Sequence, residues 1–152
     1  LRLDATEKEA AAIRKHADAL EVELFSVASG MGWAYPLSSQ DPALRDKGEE
    51  VNARALQIGQ WLGAKALLVV PGLVDPATRY DIALENALNS VQNLRPLAEQ
   101  HKVALAIENV WNKLLLSPVE MRPHLAESAA VARAVAGGCP DLRQRLPRGA
   151  QG

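Results

Sequence analysis

Cysteine is nearly missing: Cys139 stands alone in 152 residues. One thiol closes no intrachain disulfide, and without clustered histidines it has no zinc-ligand spacing. No run approaches the roughly 20 consecutive apolar residues of a membrane helix, and the N-terminus lacks the basic start and apolar stretch of a secretory signal. Charge of one sign is not in excess either. The 17 Lys and Arg against 18 Asp and Glu leave a formal charge of -1, with no basic stripe to neutralise phosphates. These absences predict a cytoplasmic protein with neither a membrane nor a nucleic-acid partner. What is present is an apolar content of 48%, enough for one ordinary core.

Thr6 with Glu9 three residues later has the spacing of a capping box, and Ala10, Ile13, Ala17 and Leu20 follow at helical intervals. A strand is expected over Glu23–Ala28, entering the loop Ser29-Gly30-Met31-Gly32. Asp41-Pro42 starts a second helix whose inner face is Val51, Ala55, Ile58 and Leu62, and Gly63 closes it. Ala66–Val70 reads as a strand buried on both faces, stopped by Pro71-Gly72. A third helix begins near Tyr80 with Leu84, Leu88, Val91, Leu94 and Ala98 as its apolar face, and Pro96 is expected to kink or end it. Val103–Ile107 is a third strand, and Ser117-Pro118-Val119-Glu120 signals a fourth helix. Helix and strand alternate in units of about forty residues, the rhythm of an α/β protein with a parallel sheet. Periodicity alone leaves an open doubly wound sheet and a section of a (β/α)8 barrel equally open. A whole barrel takes about 250 residues, so the barrel reading makes this chain an incomplete TIM barrel of three parallel strands with flanking helices.

Past His124 the texture changes to an Ala, Arg, Gly and Pro mixture with few large apolar side chains. The expected division is a partial barrel over 1–123 and an atypical tail over 124–152, either disordered or the product of a frameshift.

Parallel strands bring their C-terminal ends to one face, which collects Ser29–Tyr35, Pro71–Val74 and Glu108–Lys113. Glu108 follows the apolar run Val-Ala-Leu-Ala-Ile, where a metal-ligating or proton-transferring carboxylate would emerge from the core. The alternative is an ordinary loop carboxylate paired with Lys113 or capping the next helix. Asn109, Trp111, Asn112 and Lys113 combine amides, a ring and a cation, the groups that bind sugars, and Trp33 with Tyr35 would lie over the same mouth. Packing and solvation are the competing roles. Gly30-Met31-Gly32 is no dinucleotide loop, since the third glycine is absent and Pro36 follows too soon for a helix. His16, His101 and His124 are expected to be structural or exposed, with His101 at the negative end of a helix.

The segment Val103-Ala-Leu-Ala-Ile-Glu108-Asn-Val-Trp-Asn-Lys113-Leu-Leu-Leu-Ser-Pro118 resembles the sugar phosphate isomerase/epimerase family of xylose-isomerase-like barrels. The likeness extends back through Ser29-Gly-Met-Gly-Trp-Ala-Tyr-Pro-Leu-Ser38 and Leu67-Leu-Val-Val-Pro-Gly72, covers Leu1 to Met121, and fails in the tail. It implies that Glu108 is a catalytic acid/base and a ligand of a divalent metal (Mn, Mg, Co or Zn), and that the substrate is a small sugar or sugar phosphate. In that family an aspartate, a histidine and a second glutamate from later strands complete the site. None has a matching segment here, and the family's first strand is also without a match, so the isolated chain is expected to be inactive. Two further readings stay open: a non-catalytic fragment or assembly module that self-associates through exposed strand edges, and a barrel endonuclease for damaged DNA, which the balanced charge disfavours.

Overall fold

A computed structural model describes residues 2–74, 76–108 and 110–117. The fourth helix expected from Ser117-Pro118, the tail over 124–152, Cys139 and His124 lie outside these residues, apart from Ser117 itself. The described order is α1 (Glu7–Ala19), β1 (Ser26–Ala28), α2 (Pro42–Leu62), β2 (Ala66–Val69), α3 (Tyr80–His101) and β3 (Ala104–Ile107). The three strands form one sheet in the order β1-β2-β3, and both pairings are parallel. The alternation of helix and strand in the sequence thus becomes a sheet whose strands are joined by helical returns.

The helix starts follow local chemistry. Thr6 and Glu9 satisfy each other's backbone N–H groups in the full capping box of α1. Asp41 accepts from the Ala43 N–H at the head of α2, Pro42 occupies a position where its missing N–H costs nothing, and Gly63 ends the helix in the left-handed region.

Three expectations need correction. The first strand begins at Ser26, three residues later than the composition suggested: Glu21 turns the chain out of α1 with a φ of 56°, and residues 22–25 join no strand ladder before the Phe25 carbonyl accepts from the Lys65 N–H. Pro96 does not end helix α3, which continues to His101. Pro96 and Gln92, whose carbonyl loses its helical donor, are both exposed, so water can satisfy that oxygen. Finally, the first half of α3 buries Ala83, Ala87 and Ser90, while Leu84 and Leu88 are only half-buried. The alanines receive Leu114 and Leu115, which return from the loop after β3 and pack there with Val74, Tyr80 and Ile107.

The main core lies on one side of the sheet. Leu67 and Val69 of β2 and Leu105 of β3 meet Ala55 and Leu56 of α2 and Val91, Leu94 and Ala98 of α3. Helix α1 adds a smaller contact through Ala10 against Ile58 and Leu62. Because side chains alternate across a strand, Ser26, Ala28, Ala66, Leu68, Ala104 and Ala106 occupy the opposite face, on which none of the described helices packs. Leu68 is exposed there. Among the described residues no helix is long and apolar enough to cross a membrane.

Candidate functional site at the strand ends

Glu108 is the first residue after β3, and its N–H still donates to the Val69 carbonyl at 2.9 Å, so the ladder extends one step past the strand. The same alternation that sends Leu105 and Ile107 towards the helices puts Glu108 on the face of Ala104 and Ala106. It is half-buried. The four ion pairs among the described residues are Arg2–Asp4, Lys47–Glu50, Arg79–Asp81 and Arg95–Glu99; Glu108 and Lys113 do not pair. The Glu108 carboxylate therefore stands at the end of a buried strand with no described cation holding it.

The loops around it are brought together by long-range bonds. Trp33, from the loop after β1, and Trp111, from the loop after β3, stack with ring centroids 4.6 Å apart and planes inclined by 20°. The strands that carry these loops are not neighbours, so the indole pair spans the end of β2. Gly32 fits closely there: a Cβ on it would lie 3.0 Å from the Val70 carbonyl oxygen. Such an aromatic pair contributes about 0.5–1.5 kcal/mol beyond area burial. Trp111 nevertheless remains 83% exposed, so most of its surface is open to a ligand.

Asn112 has a different situation. It is buried, its Nδ2 donates to the Gly72 carbonyl, and its Oδ1 accepts from the Leu114 N–H at 3.3 Å. Its own carbonyl accepts from the Val74 N–H at 3.0 Å. Lys113 is exposed and sits in the left-handed region with a φ of 61°, as does Leu115 at 58°. Together they form a tight turn that drives Leu114 into the core. Asn109 lies outside the described residues.

Sequence reasoning passed over Ser38. Its hydroxyl is buried, accepts from the Leu73 N–H at 2.9 Å and donates to the Leu73 carbonyl at 2.7 Å. Gly72 lies against it with a φ of 143°, and a Cβ at that glycine would come within 2.2 Å of the Ser38 Oγ. Pro71-Gly72 marked only a strand end in the sequence, and a serine in a loop carries no local sign of a partner 35 residues away. His101 is where the pattern put it, at the end of α3, with its Nδ1 2.8 Å from the Gln60 Oε1. His16 is exposed in the last turn of α1.

A protein-bound divalent ion generally has three or more protein ligands. Among the described residues no group of three or more His, Cys, Asp or Glu side chains gathers to hold one. The donors described here therefore do not fit a metal by themselves, and no step through one is derived.

A family model described as xylose isomerase-like TIM barrel matches residues 1–143. No curated protein matches. Solved structures of similar fold include a D-tagatose 3-epimerase-like protein, with a TM-score of 0.66 and 17% identity, covering 76% of this chain and 45% of that one. A 3-keto-D-glucoside 4-epimerase from E. coli, in its apo form, gives 0.66 and 12% identity over 81% of this chain and 51% of that one. A xylose isomerase domain protein from Planctomyces limnophilus gives 0.64 and 16% identity over 80% and 45%. The chain spans about half the length of these structures, and at such identities the likeness is one of fold. Three parallel strands with helical returns, matched by a family model over nearly the whole sequence, place this chain in the xylose isomerase-like TIM barrel family.

Proposed function

We propose that this chain is one part of a sugar or sugar-phosphate isomerase or epimerase that moves a proton at the carbon beside a carbonyl. The carrying observation is Glu108, which directly follows β3 on the face where no described helix packs, without a described ion-pair partner, in a chain of a barrel family whose active sites lie at strand C-termini. Two of the solved structures similar in fold are an epimerase and an epimerase-like protein, which supports the choice of reaction.

In this reading the Glu108 carboxylate takes the proton from the carbon next to the substrate carbonyl. The electron pair of the broken C–H bond forms the C=C bond of an enediolate while the carbonyl C=O becomes C–O⁻. A proton returned to the same carbon from the opposite face gives the epimer. One delivered to the former carbonyl carbon, with the neighbouring hydroxyl proton passing to the other oxygen, gives the isomer. Glu108 supplies one such group; a second group on the other side of the sugar belongs to the rest of the barrel. Trp33 and Trp111 offer their rings to the C–H face of the sugar, Lys113 and Asn109 offer polar contacts, and Asn112 sets the loop. A divalent ion, held by Glu108 together with ligands outside the described residues, would supply charge stabilisation to the enediolate.

The test is hydrogen exchange at the carbon beside the carbonyl, followed by NMR of ketoses in D2O with a protein that joins this segment to the remaining strands. Glu108→Gln should slow exchange by about 10²- to 10⁴-fold, the usual contribution of a positioned acid/base group. Unchanged exchange in that variant would remove Glu108 from the mechanism. The isolated chain is expected to show no exchange above the rate in buffer.

A further inference from the structure

Three loops meet at the mouth, and two buried polar side chains tie them together. Ser38 reaches from the segment after β1 to both backbone groups of Leu73 in the loop after β2. Asn112 reaches from the loop after β3 to the Gly72 carbonyl in that same loop, while its other amide atom holds the Leu114 N–H. Gly72 lies between them, and its open backbone lets the Ser38 hydroxyl approach closer than any Cβ would allow. Buried amides and hydroxyls are costly unless satisfied, so a set with complete partners holds one geometry firmly. The ends of this chain of bonds lie next to the indoles: Trp111 immediately precedes Asn112, and Trp33 is five residues before Ser38.

We infer that Ser38, Gly72 and Asn112 form a clasp that fixes the loops after β1, β2 and β3 relative to one another, so that Trp33 and Trp111 are stacked at the strand-end mouth before any ligand arrives. Asn112 is then a positioning residue whose amide is committed to the protein backbone rather than to a sugar. The inference rests on the proposed function only in taking the mouth as the site. Its test contains no turnover, so failure of the clasp and failure of Glu108 as a proton carrier give separate results.

Two stacked indoles couple their transitions and give a paired band in circular dichroism, which either Trp33→Phe or Trp111→Phe should abolish. In the chain as it stands, Asn112→Ala should remove that band and raise amide exchange at Leu114 by about tenfold or more. The amides of Ala104 and Glu108, which bond Lys65 and Val69 across the sheet, should keep their protection. Asn112→Asp retains the acceptor for Leu114 but has no donor for Gly72, so it should protect the Leu114 amide and still lose the band. Ser38→Ala opens the other end and should expose the Leu73 amide while also losing the band; it decides the matter if the Asn112 variants do not fold. A full-strength band in folded Asn112→Ala or Ser38→Ala would overturn the clasp. So would a uniform loss of protection across sheet and loops, which would make these residues supports of the whole fold.

Discussion

Lys113 and Gly72 hold backbone angles unusual for L side chains at the same mouth, and their substitutions should act in opposite directions. The left-handed region costs a non-glycine residue roughly 1–2 kcal/mol, and Lys113 is exposed with no described ion pair to offset it. Lys113→Gly should therefore leave thermal stability unchanged or raise it by up to about 1 kcal/mol. If Lys113 touches a sugar in the complete barrel, the same variant should raise KM, a split between stability and activity that calorimetry and kinetics would read together. Gly72→Ala must accommodate a methyl group where the Ser38 hydroxyl already lies. A loss of about 2–4 kcal/mol in denaturant unfolding is expected from that overlap and the backbone strain. A loss below about 0.5 kcal/mol, the range of an ordinary surface substitution, would show that the turn is not packed as described.

Among the elements, α1 is the one most dependent on its cap, since its buried face consists of Ala10 and Ala17 alone. Thr6→Ala should cost about 1 kcal/mol. The Thr6 backbone N–H, and then its hydroxyl, hold the Glu9 carboxyl below its ordinary value of 4.5. A depressed folded value means the cap stabilises the helix above pH 4.5 and is lost as pH falls through the folded pKa. Amide exchange at Glu9 and Ala10 should speed up over that window, and Glu9→Gln should flatten the response. In α3, Pro96→Ala restores a donor for the Gln92 carbonyl and should raise the melting temperature, by about 1–3 kcal/mol in stability. Element starts such as Thr6-x-x-Glu9 and Asp41-Pro42 were legible in the sequence because capping chemistry is local. So were β2 and β3 as strands of a parallel sheet, though the burial of β2 expected on both faces is not met among the described residues, since Leu68 is exposed. The burial face at the start of α3 was not legible, because it is set by Leu114 and Leu115 arriving from the far side of β3. At the mouth, the position of Glu108 followed from the strand that precedes it. The Trp33–Trp111 stack and the bonds of Ser38 and Asn112 join segments 35 to 78 residues apart, and no periodicity records such contacts.

At the scale of the molecule, the core is concentrated between the sheet and two helices, so Leu67, fully buried at its centre, should be among the most sensitive positions. Leu67→Ala is expected to cost about 2–5 kcal/mol in denaturant unfolding, with the spread set by how far α2 and α3 can close in. In the described sheet β1 and β3 each pair on one side only. Beside β1 runs a cavity of about 300 Å³ lined by Leu3, Ile13, Leu24, Val27, Ile58 and Leu62. Free strand edges beside apolar surface favour association, and size-exclusion chromatography of the chain should show elution that shifts with concentration. A monomer at every loading would count against it. The sheet face on which no described helix packs bears on how a barrel would be filled. Barrel interiors are ordinarily filled by bulky branched side chains, yet this wall presents Ser26, Ala28, Ala66, Ala104 and Ala106 around a single Leu68. Such a shallow surface leaves volume to be occupied, and a barrel closed over it would need wide side chains from the facing strands to fill the hollow below Glu108.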